Sequence, residues 1–131
     1  MIFVDTNAWF ASTVPWDANH LAAVAWLSGN TEMLVTTDYI LDETLTLFRI
    51  RGERVLAREF GLKMLAGRLA QLHYVTARDV ADAWEVYSRF DDKGWSFTDC
   101  SSKAIMERLE IRTAFSFDHH FRQFGSVVVV P

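Results

Sequence analysis

Four carboxylates, Asp5, Glu43, Asp99 and Asp118, stand at places that suit a merely structural role poorly. Asp5 and Asp118 directly follow apolar runs that read as buried strands, Ile2-Phe3-Val4 and Thr113-Ala114-Phe115-Ser116-Phe117. Glu43 interrupts the apolar helical pattern from Tyr39-Ile40-Leu41 to Leu45, Leu47 and Phe48, and Asp99 opens another helix. Carboxylates at contact distance raise each other's pKa, so four of them stay ionised together only beside a compensating charge. Mg²⁺ or Mn²⁺ supplies that charge, prefers oxygen ligands and keeps some waters. Such an ion eases the loss of a proton from water and offsets charge developing on a phosphodiester oxygen. The chemistry this pattern points to is metal-dependent hydrolysis. Thr6, Asn7 and Ser116 flank the acids with short polar side chains able to orient carboxylates or waters.

Each acid taken singly has a plainer reading. Asp99 can cap its helix as Asp79 does, and Asp5 and Asp118 can be turn residues after strands. Glu43 resists this treatment, because a charged group is rarely set in an apolar helix face unless paired. Competing motifs are weaker. His119 and His120 have no His-Glu-x-x-His or Cys partner and read as a surface turn. No Gly-x-Ser-x-Gly elbow or phosphate-cradling glycine loop occurs. The five tryptophans read as packing material, although Trp9 and Trp16 follow Asp5 closely enough to stack a base.

Positioning these acids requires an alternation of short strands and helices. Ile2 to Val4 is the first strand, and Asp17 can N-cap a helix, with Leu21, Val24 and Ala25 apolar, that ends at Gly29. Met33 to Thr36 forms strand two and Asp38 to Ile50 a helix. Arg54 to Leu72 reads as a long amphipathic helix through Val55, Phe60, Leu62, Leu65 and Leu69, interrupted by Gly61 and Gly67. His73 to Thr76 is strand three. Thr76 with Asp79, and Ser96 with Asp99, are capping-box patterns for helices reaching Phe90 and about Leu109. Thr113 to Phe117 is strand four, His119 to Phe124 a short helical turn ending at Gly125, and Val127 to Val130 strand five. Apolar strands alternating with helices imply a parallel sheet covered on both faces, in one domain over residues 1–131. In such sheets, sites form at the carboxyl ends of strands where strand order reverses, and Asp5 and Asp118 both occupy such ends.

The net charge of −4 does not advertise nucleic-acid binding, but the distribution is uneven. No Lys or Arg precedes Arg49, whereas Arg49, Arg51, Arg54, Arg58, Lys63 and Arg68 crowd the next stretch. That segment reads either as a polyanion track beside an acidic site or as a solvated helix face. Cys100 is the only cysteine, which excludes an intramolecular disulfide and fits a small apolar packing role. No apolar run is long enough to span a membrane and no signal-type start is seen, so a cytoplasmic location is expected.

The segments Met1-Ile2-Phe3-Val4-Asp5-Thr6-Asn7, Asp42-Glu43, Phe97-Thr98-Asp99-Cys100-Ser101-Ser102 and Ser116-Phe117-Asp118-His119-His120-Phe121 resemble the PIN-domain ribonucleases, and within them the VapC-type toxins. The resemblance runs from the first strand to the last and rests on four ordered motifs. It implies a three-layer α/β/α sandwich around a mostly parallel five-stranded sheet, and a Mg²⁺- or Mn²⁺-dependent endoribonuclease. By motif position, Asp5, Glu43, Asp99 and Asp118 would form the metal site. Thr6 and Ser116 match its polar accessory positions, and Asp92 falls peripherally where many relatives carry an acid. The resemblance also implies an RNA substrate, a homodimer, no membrane partner, and a cognate antitoxin protein whose tail would occupy the groove. A non-catalytic RNA-binding or protein-interaction module of the same fold is the alternative. A phospho-acceptor receiver domain would need an acidic pair after strand one and a Lys where Asp118 stands, and is set aside.

Overall fold

The computed structural model describes residues 1–131. Five short strands, β1 (Ile2–Val4), β2 (Leu34–Thr37), β3 (Gln71–His73), β4 (Thr113–Phe115) and β5 (Val128–Val130), pair in the order β3-β2-β1-β4-β5. Every pairing is parallel, with Ile2 opposite Leu34 on one side and Thr113 on the other. The chain therefore steps outward from β1 through β2 to β3, then returns across to β4 and β5. Right-handed crossovers in opposite directions put their helices on opposite faces of the sheet. Helices α1 (Thr6–Thr13), α2 (His20–Gly29), α3 (Asp38–Ile50) and α4 (Arg54–Leu65) serve the outward steps and pack on one another. Helices α5 (Ala77–Arg89) and α6 (Phe97–Arg108) form a separate, closely packed pair on the return. The result is the expected three-layer α/β/α sandwich, with a sheet that is parallel throughout. No helix is long and apolar enough to cross a membrane.

Burial in the central strands is nearly complete. Phe3, Val4, Ala114 and Phe115 are inaccessible to solvent, which accounts for their continuous apolar character. An aromatic seam of Trp9, Phe10, Phe48 and Phe60 joins α1, α3 and α4, with ring centroids 5.3 to 5.7 Å apart. On the other side Phe121 and Phe124 of the segment after β4 pack against Phe3 and Trp95. Both capping boxes form as their sequences predict, with Thr76 and Asp79 opening α5 and Ser96 and Asp99 opening α6.

Several local expectations shift. Helix α1 had no signal in the sequence, because its residues Thr6, Ala8, Trp9, Phe10 and Ala11 are buried around much of its circumference and show no amphipathic period. Helix α2 starts at His20, not at Asp17, whose carboxylate instead accepts the Asn19 N–H at 2.9 Å in a preceding turn. Its core residue is Ala23, with Trp26 and Leu27 half-buried, while Leu21 is 84% exposed and Val24 and Ala25 also face solvent. The long helix from Arg54 stops at Leu65. Gly67, at φ 71°, takes the left-handed conformation that turns the chain away, and strand three comes early, at Gln71–His73 rather than His73–Thr76. Within α4, Phe60 and Met64 are buried, whereas Val55, Leu62 and Leu65 lie on the open side. Strand two runs Leu34–Thr37 and strand four ends at Phe115, each within two residues of the expected limit.

Candidate metal centre

The reversal of strand order falls between β1 and β4, and the chain leaves both strands there with polar residues. Asp5 continues the β1 ladder, donating its N–H to the Phe115 carbonyl at 3.1 Å, and its own carbonyl accepts from Trp9 in the first turn of α1. It occupies the N-cap of α1, yet its side chain caps nothing. The carboxylate, in a residue only 2% exposed, accepts instead from the Ser116 hydroxyl at 3.0 Å. The same hydroxyl accepts the Asp118 N–H at 3.0 Å, and Asp118 Oδ1 accepts the His120 N–H at 2.9 Å to open a 3₁₀ turn over His119–Gln123. The His120 ring returns to the acids, with Nδ1 3.2 Å from Asp99 Oδ2 and 3.5 Å from Asp118 Oδ1. Asp99 is 7% exposed and holds its capping bonds to Ser96 at the same time, so capping and a place in the cluster coexist.

Glu43 reaches the cluster from α3, beside Thr6. Burial raises its pKa above the ordinary carboxylate value. Thr6 opposes the rise, and Asp99, Asp118 and Asp42 add to it. Burial likewise lifts Asp5 to about 7 against the pull of the Thr6 backbone and Ser116, with Glu43 and Asp99 lifting it further. Asp99 is raised by burial and by Asp118, and held back by Ser96 and His120. The four acids thus sit within electrostatic reach of one another. Thr6 is almost fully buried beside Glu43, and its hydroxyl has no hydrogen-bond partner of good geometry.

This donor set fits a divalent cation. Its ligands would be hard carboxylate oxygens, its charge would reverse the mutual destabilisation of the acids, and an orphaned buried hydroxyl points to a missing partner. Asp5, Asp99, Asp118 and Glu43 are the carboxylates that would hold such an ion, with Ser116 hydrogen-bonded to Asp5 and Thr6 beside Glu43. The tightest group of potential ligand atoms is Asp118, His119 and His120, within 4.8 Å of one another.

Other expected participants lie elsewhere. Asn7 is exposed at the start of α1, and Asp92 is exposed in the turn after α5 beside Lys93. Trp9 is buried and donates to Thr36 Oγ1 at 3.2 Å, so it cannot stack a base. Trp16 is exposed, with its Nε1 on Glu53 at 2.8 Å. The surface-turn reading of the histidine pair holds for His119 and fails for His120, whose position follows from the Asp118 cap. Cys100 packs inside α6 as expected, and burial pushes its thiol up to about 11.

Residues 2–127 match the PIN domain family. The chain is 33% identical over 132 residues to the 23S rRNA-specific endonuclease VapC20 of Mycobacterium tuberculosis, covering 100% of this chain and 99% of that protein. It is 29% identical over 123 residues to a VapC ribonuclease of Archaeoglobus fulgidus, covering 90% of this chain and 77% of the relative. The crystal structure of M. tuberculosis VapC20, a sarcin-ricin loop cleaving toxin, superposes with a TM-score of 0.93 at 32% identity over 100% of both chains. FitAcB of Neisseria gonorrhoeae shares the fold, with a TM-score of 0.69 at 19% identity over 100% of this chain and 97% of that one.

Proposed function

Because the chain belongs to the PIN domain family, we propose that it is a metal-dependent endoribonuclease of the VapC type, the toxin of a toxin–antitoxin pair. The observation that carries this reading is the cluster of Asp5, Glu43 and Asp99, each with its carboxyl pKa raised by burial and by its neighbours, beside the buried, unpartnered hydroxyl of Thr6. A Mg²⁺ or Mn²⁺ ion held there would supply a nucleophilic water at neutral pH and offset charge on the scissile phosphodiester. Asp5, Asp99, Asp118 and Glu43 would hold the ion. Ser116 fixes the Asp5 carboxylate and the Asp118 backbone in one geometry, and Thr6 stands beside Glu43. The acids also repel an RNA backbone in the absence of the ion, so substrate and metal binding support each other.

The target of the M. tuberculosis relative makes 23S rRNA the first substrate to try. Purified protein with Mn²⁺ should cut it at a defined position, and Asp5→Asn or Asp99→Asn should lower the rate at least ~100-fold with the fold intact by circular dichroism. Full activity in both variants, or in excess chelator, would sink the proposal. A cognate antitoxin and a homodimer belong to the same reading. The apolar residues left open on α2 and α4, Leu21, Val24, Val55, Leu62 and Leu65, are surface that such partners would cover.

A further inference from the structure

Of the two histidines beside the carboxylate cluster, His120 is the one whose ring nitrogen is buried against both Asp99 and Asp118. Nδ1 is buried and lies 3.2 Å from Asp99 Oδ2 and 3.5 Å from Asp118 Oδ1, yet it makes a hydrogen bond of good geometry to neither. A ring nitrogen paired with a carboxylate would normally align with it. Here the nitrogen stands close to two acids and is bonded to neither. The ring is held in place by its own backbone, whose N–H is tied to Asp118 Oδ1 at 2.9 Å. Its far edge lies against the Gly94 backbone, where Nε2 would be 3.6 Å from an added Cβ. His119 lies beside it, tilted, at 4.3 Å between ring centroids but is open to solvent, and its Nδ1 stands 3.6 Å from Asp118 alone.

We propose that His120 contributes Nδ1 as a nitrogen ligand to the ion held by Asp99 and Asp118, so that this centre selects Mn²⁺ over Mg²⁺. The inference rests on the metal-dependent reading above and narrows it. Carboxylates and water suit Mg²⁺ and Mn²⁺ alike, but imidazole is a poor ligand for Mg²⁺ and a good one for transition ions. The bond from the His120 backbone N–H to Asp118 Oδ1 would make one carboxylate both a ligand and the group that positions the histidine's backbone beside the ion.

The full-length protein, freed of divalent ions, is titrated with MnCl₂ and separately with MgCl₂, and the Mn²⁺ form is examined by pulsed electron paramagnetic resonance with and without ¹⁵N-histidine labelling. Bound Mn²⁺ should show one directly coordinated histidine nitrogen. His119→Gln should keep that coupling. His120→Gln should lose it, with Mn²⁺ affinity lowered about tenfold and Mg²⁺ affinity little changed. Saturable Mn²⁺ binding without nitrogen coupling in the unsubstituted protein overturns the assignment of His120 and leaves the carboxylate centre standing. That spectrum decides the matter even if His120→Gln fails to fold. Absence of saturable Mn²⁺ binding, or binding that Asp5→Asn leaves unaltered, takes down the carboxylate centre and His120 with it.

Discussion

Ser116 performs two tasks with one hydroxyl, donating to the Asp5 carboxylate and accepting from the Asp118 backbone, each at 3.0 Å. Ser116→Ala removes the bond that opposes the upward shift of Asp5, so Asp5 should hold its proton more tightly and metal affinity should fall roughly tenfold. Calorimetric titration with MnCl₂ checks this, and unchanged affinity would return Ser116 to packing. Asp5 itself makes stability depend on pH. Its pKa rises from 3.8 to about 7 on folding, so the folded state binds more protons than the unfolded one between those values. Stability of the metal-free protein should therefore decline as pH rises from about 4 to about 7 and level off above, by on the order of 4 kcal/mol. Urea denaturation across that range should show the decline in the metal-free protein, a shallower one in Asp5→Asn, and little with saturating Mn²⁺. At this scale the sequence was legible for Asp5, Glu43 and Asp118, since strand ends and an interrupted apolar helix face are local patterns. It was not legible for His120, because nothing local to Asp118-His119-His120 says that one ring turns inward toward Asp99, which is remote in sequence.

The pairing of α5 with α6 is the element-level feature that most resembles a second functional site, and it is structural. Asp79 is buried at the start of α5, where it closes the capping box, binds His73 Nε2 at 2.8 Å and meets Arg108 at the end of α6. Burial would raise its pKa, but the Thr76 N–H, His73 and Arg108 together hold it well below the usual carboxylate range. A lowered folded pKa gives stability that is full above the unfolded value of 3.8 and lost as pH falls below it, a window distinct from that of Asp5. Asp79→Ala leaves half-buried Arg108 and His73 without their anion and should cost ~3 kcal/mol at neutral pH, while Mn²⁺ affinity stays as it was. A chemical denaturation midpoint that does not move would remove Asp79 from this role. Both capping boxes could be read from Thr76-x-x-Asp79 and Ser96-x-x-Asp99, because a cap is decided within one turn. The bounds of α2 and α4 could not, because tertiary burial rather than local propensity chose which apolar residues face inward.

Over the whole molecule, charge is separated along the chain. The acidic first part supplies Asp5 and Glu43, while Arg49, Arg54 and Arg58 line a groove with Leu45, Val55 and Ala57 between α3 and α4. An RNA phosphate backbone drawn to that groove releases counterions in proportion to the contacts made. Replacing Arg54 and Arg58 together by Ala should weaken RNA binding and reduce the slope of log affinity against log salt by roughly 1.5. Filter binding at a series of salt concentrations, with Asp5→Asn in the background to prevent cleavage, measures it. An unchanged slope would mean that these arginines only solvate a helix face.

The order and type of every element but α1, and the presence of acids after two strands, at one helix start and within one apolar helix face, were legible in the sequence alone. Each depends on hydrogen bonds and burial patterns within about ten residues. The tertiary structure decided that β1 and β4 are neighbours, so that Ser116 and Asp5, 111 residues apart, share a hydrogen bond. It also decided that strand order reverses between those two strands, that Gly67 ends α4 and that the Asp118 cap turns His120 inward. Those outcomes depend on which apolar faces bury one another across the whole chain. Spacing along the sequence constrains that choice without making it, and the centre exists only once it is made.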